Sequence, residues 1–504
     1  MTRTSRRLAI WGSILGLNLL VFLVIIPQGQ FGPLYQDKCS HCHGKDLAGA
    51  PLGPPLVGAH LKHGDTVEAI SHIIANGKTG MPAFAETLDE SEIQSLAIYI
   101  TEQRAGLSQT DLKITAPLVI PQKRIDSELH DFRLETVATD LNPLPFSIAP
   151  MPDGRILLTE RGRGLSILSQ DGKKSDLMPG APTGFNDAIG IPFVGLKFGL
   201  GWMMDVALHP DYAVNGWIYL QYGDRCSRCN EASKNGKDVA MNKLIRGRIK
   251  NGRWVEQQTI WQSDKSFYTQ TTDMSAGGRI AFDDNGHVFI SVGFKGPMNY
   301  IGIQDLSTPW GKTHRVFDDG RIPLDNPFVN TPNALNSIWT YGHRSPQGLE
   351  FNKQTGELWG TEMGPRGGDE VNLLLPGRNY GWPLTSKGLN YDGSPVDYGT
   401  QLGLSVDAMD IEQPIVDLTP SPAVSSFIIY NGGAFPKWRQ NLIVGSLKAT
   451  TLYRMVLVDG ALIHQETLLS DLARIRDIEL DIAGNIYVLL EHAKGSQVIR
   501  LIPN

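Results

Sequence analysis

Two thiols with an imidazole directly after the second stand at Cys39-Ser40-His41-Cys42-His43. A Cys-x-x-Cys-His run can bond covalently to both vinyl groups of one porphyrin and offer its His to the iron. The chemistry is one-electron redox at a c-type haem, in a compartment outside the cytoplasm. A second axial ligand should be a soft or imidazole donor further along. Met81 suits, because Gly80 and Pro82 keep it on a loop and out of helix packing. His60, His63 and His72 are the alternatives, with His72 inside an apolar helical pattern. The remaining cysteines, Cys226 and Cys229, lack a following His. In an oxidising compartment they are expected to form a short-loop disulfide.

A second set of reactive residues lies far downstream. It occupies Tyr341-Gly342-His343-Arg344-Ser345-Pro346-Gln347-Gly348-Leu349, then Thr361 to Asn372 running on to Trp382-Pro383, then Val444-Gly445-Ser446-Leu447-Lys448, then Ala473-Arg474-Ile475-Arg476-Asp477. If the fold brings Arg344, Lys448, Arg474 and Arg476 together, they form an anion site, and the planar fork of Arg suits carboxylates. Taken singly, each is as well explained by a surface ion pair of little energetic worth.

The elements that would position these residues are legible as repeats. Pro152-Asp153-Gly154-Arg155 leads into Ile156-Leu157-Leu158, and Pro210-Asp211-Tyr212 into Trp217-Ile218-Tyr219-Leu220. Asp284-Asn285-Gly286-His287, Lys353 to Glu357, and Asp481 to Asn485 each precede a similar apolar run, and Asn441 to Val444 supplies a sixth. A polar turn followed by a short β-branched or aromatic strand, recurring every few tens of residues, predicts propeller blades. Loops from all blades of a propeller converge on its axis, so distant segments can build one site. His287 is expected in a turn, facing solvent.

Ahead of this all-β propeller, residues 30–104 have the length of a compact all-α haem domain. Asp89, followed by Glu90 and Glu92, is expected to cap its last helix. Residues 105–126, polar and with Pro117 and Pro121, read as a linker, and 127–504 as the propeller. An uncharged apolar run from Leu8 to Ile26 follows Arg3, Arg6 and Arg7. About 20 apolar residues span a bilayer, and positive flanks stay cytoplasmic. Residues 8–27 are therefore expected to be a transmembrane anchor in a cell inner membrane, with haem and propeller domains on the periplasmic side. A cleaved signal peptide is the competing reading, disfavoured by the length of the run and the lack of an Ala-x-Ala site before Gln30. The net charge of −6 over 504 residues leaves no basic footprint for nucleic acid.

Residues 30–104 resemble a class I cytochrome c, on the haem motif and Met81. The four downstream segments resemble the soluble quinoprotein glucose/sorbosone dehydrogenases, also called aldose sugar dehydrogenases. That resemblance implies a six-bladed propeller binding pyrroloquinoline quinone (PQQ) and calcium and a sugar-like substrate; the tether to a cytochrome, which gives the haem a high effective concentration at its donor, makes that haem the expected electron acceptor, ahead of a respiratory one. It implies PQQ contacts at Arg344, Lys448, Arg474 and Arg476, calcium on the carbonyls of Gly364 and Pro365, and structural calcium at Glu370 and Tyr380. The family's His-x-Gly-Gly-Arg, which supplies the general base, stands here as Ser275-Ala276-Gly277-Gly278-Arg279, and Phe294 replaces the acid that orients it. Ser275 and Asp273 are the weak substitutes, since a Ser hydroxyl has no pKa suited to take a proton near neutrality. Three functions are thus expected in descending order: a dehydrogenase feeding its own haem, a propeller with redirected or lost catalysis beside an active cytochrome, and a bare binding platform.

Overall fold

A computed structural model of the chain describes residues 31–78, 80–107, 112–187, 189–191, 196–296 and 300–504, with backbone only at 189–191, 196–198 and 408. The run expected to cross a membrane, 8–27, lies outside the described residues. Among the described residues no helix is long and apolar enough to span a bilayer.

The haem domain is built from α1 (Phe31–Lys38), α2 (Ser40–His43), α3 (Val67–Asn76) and α4 (Glu90–Arg104). Asp89 opens α4 with a reciprocal capping box: its carboxylate accepts the Glu92 N–H at 2.8 Å, and the Glu92 carboxylate accepts the Asp89 N–H at 2.9 Å. One side of α4, carrying Ile93, Leu96, Ala97 and Ile100, is buried in the haem-domain core with Phe31 and Tyr35 of α1. Ile98, in the same cluster, also reaches Gly367 of the propeller, and Glu102 is buried as well. A helix buried on two sides needs a second body to cover it, and here the propeller does.

The propeller has six sheets, five of four strands and one of three. The first strands of the blades are Pro145–Pro150, Met203–Leu208, Gly277–Phe282, Pro346–Asn352, Val424–Ile429 and Arg474–Leu480. Each touches the first strand of the next blade, and the sixth touches the first, so these strands ring the axis. The last blade is completed by Phe132–Leu141, which pairs with Ser496–Pro503 at its outer edge and closes the ring. A two-stranded excursion, Ile189–Ile191 with Leu196–Phe198, interrupts the path from the first blade to the second.

All six turns read from the sequence join the first and second strands of their blades. Their side chains explain the repeat. Asp153 accepts the Arg155 N–H, Asp283 those of Asn285 and His287, Asn352 that of Gln354, and Asp481 those of Ala483 and Asn485. These turns mark one end of the propeller. The starts of first strands and the ends of second strands therefore lie together at the other end, the mouth. His287 is not solvent-facing. It opens a second strand, is buried, meets the Asp283 carboxylate at 2.7 Å and lies against the Phe317 ring. Cys226 and Cys229 form a disulfide.

The stretch read as a linker follows the propeller surface. Ile114 is buried, its carbonyl accepts the Ala493 N–H at 2.8 Å, and Ile125 pairs with Phe132.

Candidate active site at the propeller mouth

Arg474 and Arg476 open the first strand of the last blade, whose register shifts between Ile475 and Asp477, and both reach Glu491 while Ile475 is buried. The second strand of that blade ends at Glu491, opposite Arg474. Arg476 donates from Nε and Nη2 to Glu491 Oε2 at 2.9 and 2.8 Å, and Arg474 Nη2 lies 3.9 Å from the same oxygen. Arg161, at the end of the second strand of the first blade, brings Nη1 within 3.6 Å of Glu491 Oε1 and lies over the Trp202 and Phe146 rings. Burial alone would raise the Glu491 carboxyl, but Arg476, Arg474 and Arg161 outweigh it and hold it at about 2. Burial, then the Arg476 charge, lowers Arg161 to about 9, and burial lowers Arg474. Three guanidinium groups share one carboxylate. Arg161 Nε, Arg474 Nε and Glu491 Oε1 are buried without a hydrogen-bond partner. Unmet buried donors in a cationic excess fit a bound anion with several acceptor oxygens.

Arg344 precedes the first strand of the fourth blade. Its Nη1 donates to the carbonyls of Met363 and Gly364 at 3.1 and 2.8 Å, and its guanidinium lies over the Trp382 ring. Glu362 accepts the backbone N–H groups of Arg344 and Ser345, and its other oxygen meets His343 Nδ1 at 2.8 Å. Gln347 links Arg344's blade to the last one, its Oε1 taking Arg476 Nη1 at 3.4 Å. Beneath the mouth, Arg279 donates to Asp477 at 2.6 Å and approaches Asp205 at 3.5 Å, tying three first strands together. Lys448 follows a second strand and is 8% exposed; burial lowers its amine, while the charges of Glu102 and Asp369 oppose that. Arg474 Nη1 also donates to the Leu112 carbonyl at 2.7 Å, so the connector passes beside the mouth.

Gly364 and Pro365 lie in the loop from Met363 to Asp369. The carbonyl of Gly364 is turned toward Arg344, and its N–H goes to Asp369 Oδ1 at 3.1 Å. Gly367 and Gly368 take positive φ of 81 and 71°, and a Cβ on Gly368 would come within 2.6 Å of the Gly388 nitrogen, so the bend requires glycine. Carbonyl oxygens suit a hard cation, but that of Gly364 is taken up by Arg344, so calcium on Gly364 and Pro365 would have to displace the guanidinium. Glu370 is raised to about 8 by burial and then by Glu362, and accepts Asn372 Nδ2 at 3.0 Å. The Tyr380 hydroxyl lies between the Leu373 carbonyl and the Leu375 N–H, its ring stacked on His343. Among the described residues no three His, Cys, Asp or Glu side chains converge, so calcium here would depend on backbone oxygens.

Ser275 is half-buried at the start of the third blade. Asp273, two residues earlier, is spent: Oδ2 accepts the Gly201 and Trp202 N–H groups at 2.6 and 2.8 Å, and Oδ1 meets Lys295 Nζ at 2.6 Å. Phe294 lies in an aromatic wall with Tyr300, which abuts Trp382 and Tyr398.

In the haem domain, Cys39 is the residue between α1 and α2, and Cys42 lies within α2. His43 Nδ1 is bound to the Pro54 carbonyl at 2.8 Å, leaving Nε2 as the ring nitrogen for iron. Met81 pairs with Lys78 in a tight loop whose side chain packs on the core of that domain. This donor set fits a c-type haem.

Sequence reasoning missed Arg161, Trp202 and Glu491. The signal was a phase: Thr159-Glu160-Arg161, Thr361-Glu362-Met363 and Leu490-Glu491-His492 occupy the same place, the end of a second strand.

Residues 142–500 match the Glucose / Sorbosone dehydrogenase family. The chain belongs to that family. Residues 30–100 of the dehydrogenase match the family described as Cytochrome C oxidase, cbb3-type, subunit III, which makes the N-terminal unit a cytochrome c domain and implies haem c. The dehydrogenase is 34% identical over 363 residues to the aldose sugar dehydrogenase YliI of Escherichia coli, covering 71% of this chain and 90% of that one. The apo crystal structure of the soluble aldose sugar dehydrogenase from Escherichia coli superposes with a TM-score of 0.61 at 29% identity, over 74% of this chain and 100% of that one. The PQQ-bound aldose sugar dehydrogenase of Streptomyces coelicolor shares the fold, with a TM-score of 0.54 at 22% identity over 77% of this chain and 100% of that one. The family's members are oxidoreductases, and the propeller is its six-bladed fold.

Proposed function

We propose that the chain is a membrane-anchored periplasmic quinoprotein that oxidises an aldose or related polyol and passes the electrons to its own haem. One observation carries this reading: the cytochrome helix α4 is seated on the loop whose Gly364 carbonyl meets Arg344, so the haem domain and the cation cluster share one segment. When bound, PQQ supplies a two-electron acceptor and the haem a one-electron acceptor. Arg344, Lys448, Arg474 and Arg476 would hold the quinone's carboxylates and carbonyls, joined by Arg161, and the carbonyls of Gly364 and Pro365 would hold calcium. Cys39, Cys42, His43 and Met81 would hold the haem. The anchor at 8–27 would keep the whole on the outer face of the inner membrane, beside a respiratory acceptor.

The aromatic wall around Phe294 favours a second reading, redirected catalysis. Phe294 cannot orient a base, Ser275 cannot take a proton near neutrality, and Lys295 holds the charge of Asp273. A substrate whose proton leaves by another route would suit such a mouth.

The deciding experiment loads the full chain with haem, PQQ and calcium, adds a panel of aldoses and polyols, and follows the haem spectrum. Reduction that Arg474→Ala abolishes supports the dehydrogenase. Bound PQQ with no reduction by any sugar rejects it in favour of redirected chemistry.

A further inference from the structure

The buried contact between the two domains is more specific than a tether needs. Gln94, Ile98 and Glu102 recur every four residues along α4 and form one stripe. Gln94 Nε2 donates to the Lys387 carbonyl at 3.0 Å, and Ile98 lies against Gly367. Glu102 receives the Arg366 fork, Nε to Oε1 at 3.2 Å and Nη2 to Oε2 at 2.6 Å, with both side chains at least nine-tenths buried. The other side of the same guanidinium lies 3.5 Å over the ring of Phe31 in α1. The Arg366 backbone pairs in both directions with Leu389, whose side chain belongs to the haem-domain core. Arg366 is thus gripped by α1 and α4 together, two residues beyond Gly364.

We infer that the Glu102–Arg366 pair is a positioning joint that seats the haem domain in one orientation on the back of the Met363–Asp369 loop and thereby sets the rate of internal electron transfer. The inference rests on the proposed dehydrogenase reading and adds which residues couple its two halves. A linker alone already gives the haem a high effective concentration at its donor. A buried, bidentate ion pair adds little net affinity, because desolvation offsets the attraction, but its geometry fixes register and angle. Each substrate oxidised from alcohol to carbonyl gives up two electrons and two protons. The single haem takes one electron, ferric to ferrous, so an outside one-electron acceptor must empty it before the second follows.

The test uses the full haem-loaded chain with Glu102→Gln and Arg366→Ala, and Arg366→Lys as the milder change that keeps the charge but loses the fork. Before PQQ or calcium is added, hydrogen exchange in α4 should rise about tenfold in the first two variants, with the haem spectrum intact. After loading, the ratio of haem reduction to reduction of a dye that takes electrons directly from the propeller should fall at least tenfold, with Arg366→Lys intermediate. Haem reduction should be independent of solvent viscosity in the wild type and become dependent on it in the variants, a change that mere destabilisation would not produce. Unchanged α4 exchange and an unchanged ratio in Glu102→Gln would overturn the joint, as would viscosity dependence in the wild type. If sugars reduce neither dye nor haem, the dehydrogenase reading fails, and the exchange measurement still decides whether the pair seats the domain.

Discussion

Lys295 Nζ lies 2.6 Å from Asp273 Oδ1, both side chains wholly buried, and the pair ties the loop entering the third blade's first strand to the loop leaving its second. These are the two loops that carry Ser275 and Phe294. Removing one partner of such a pair strands the other charge in the interior, at a cost of about 3–5 kcal/mol. Lys295→Met is therefore expected to lower the midpoint of denaturant unfolding markedly, and Asp273→Asn/Lys295→Met together should recover part of the loss. A double variant no more stable than the single would contradict the pairing.

Glu491 gives the pH dependence. Its carboxyl sits below the ordinary value, at about 2, so the folded state binds its proton less readily than the unfolded chain. The stabilisation is present above the unfolded value of about 4.5 and is lost as pH falls toward 2. A shift of this size corresponds to about 3 kcal/mol. Thermal unfolding of wild type and Glu491→Gln, compared between pH 6 and pH 3, should show the difference shrinking on acidification. A gap that stays constant would refute the assignment.

Arg161 is the cation that sequence reasoning passed over. Its buried Nε has no hydrogen-bond partner and is the donor that an anion at the mouth would meet. Arg161→Met should weaken PQQ binding about 10–100-fold, the worth of one charge-assisted contact, and Arg161→Lys should restore only part of it, since Lys lacks the fork. Titration followed by quinone fluorescence would measure this, and equal affinity in all three proteins would remove Arg161 from the site.

Met81 is expected to be the distal iron ligand. Thioether ligation raises a haem potential relative to two imidazoles. Met81→His should therefore keep the haem attached through Cys39 and Cys42 while lowering its midpoint potential in a redox titration. A potential that does not move would return the ligand question to His60, His63 and His72.

The repeats were legible because each blade's first hairpin needs a polar residue to satisfy its turn, and Asp153, Asp283, Asn352 and Asp481 all do the same work. The mouth was less so. Its residues sit where strands begin or end and are chosen by what crosses the axis, so Arg161 and Glu491 carry no local pattern strong enough to join them. Glu102 and Arg366 are 264 residues apart, and nothing near either one announces the other. His287 misled because an Asn-Gly turn beside it suggests solvent, whereas the Asp283 carboxylate draws it inward.

Phe132 pairs with Pro503, the two ends of one blade. The roughly 370 residues between them take ~20–75 s to synthesise at ~5–20 residues/s. The haem domain, made of near-neighbour helix contacts, meets no such wait, whereas a ring shut by its most distant strands folds slowly. The helical unit is therefore expected to reach its fold sooner than the ring on which α4 is seated.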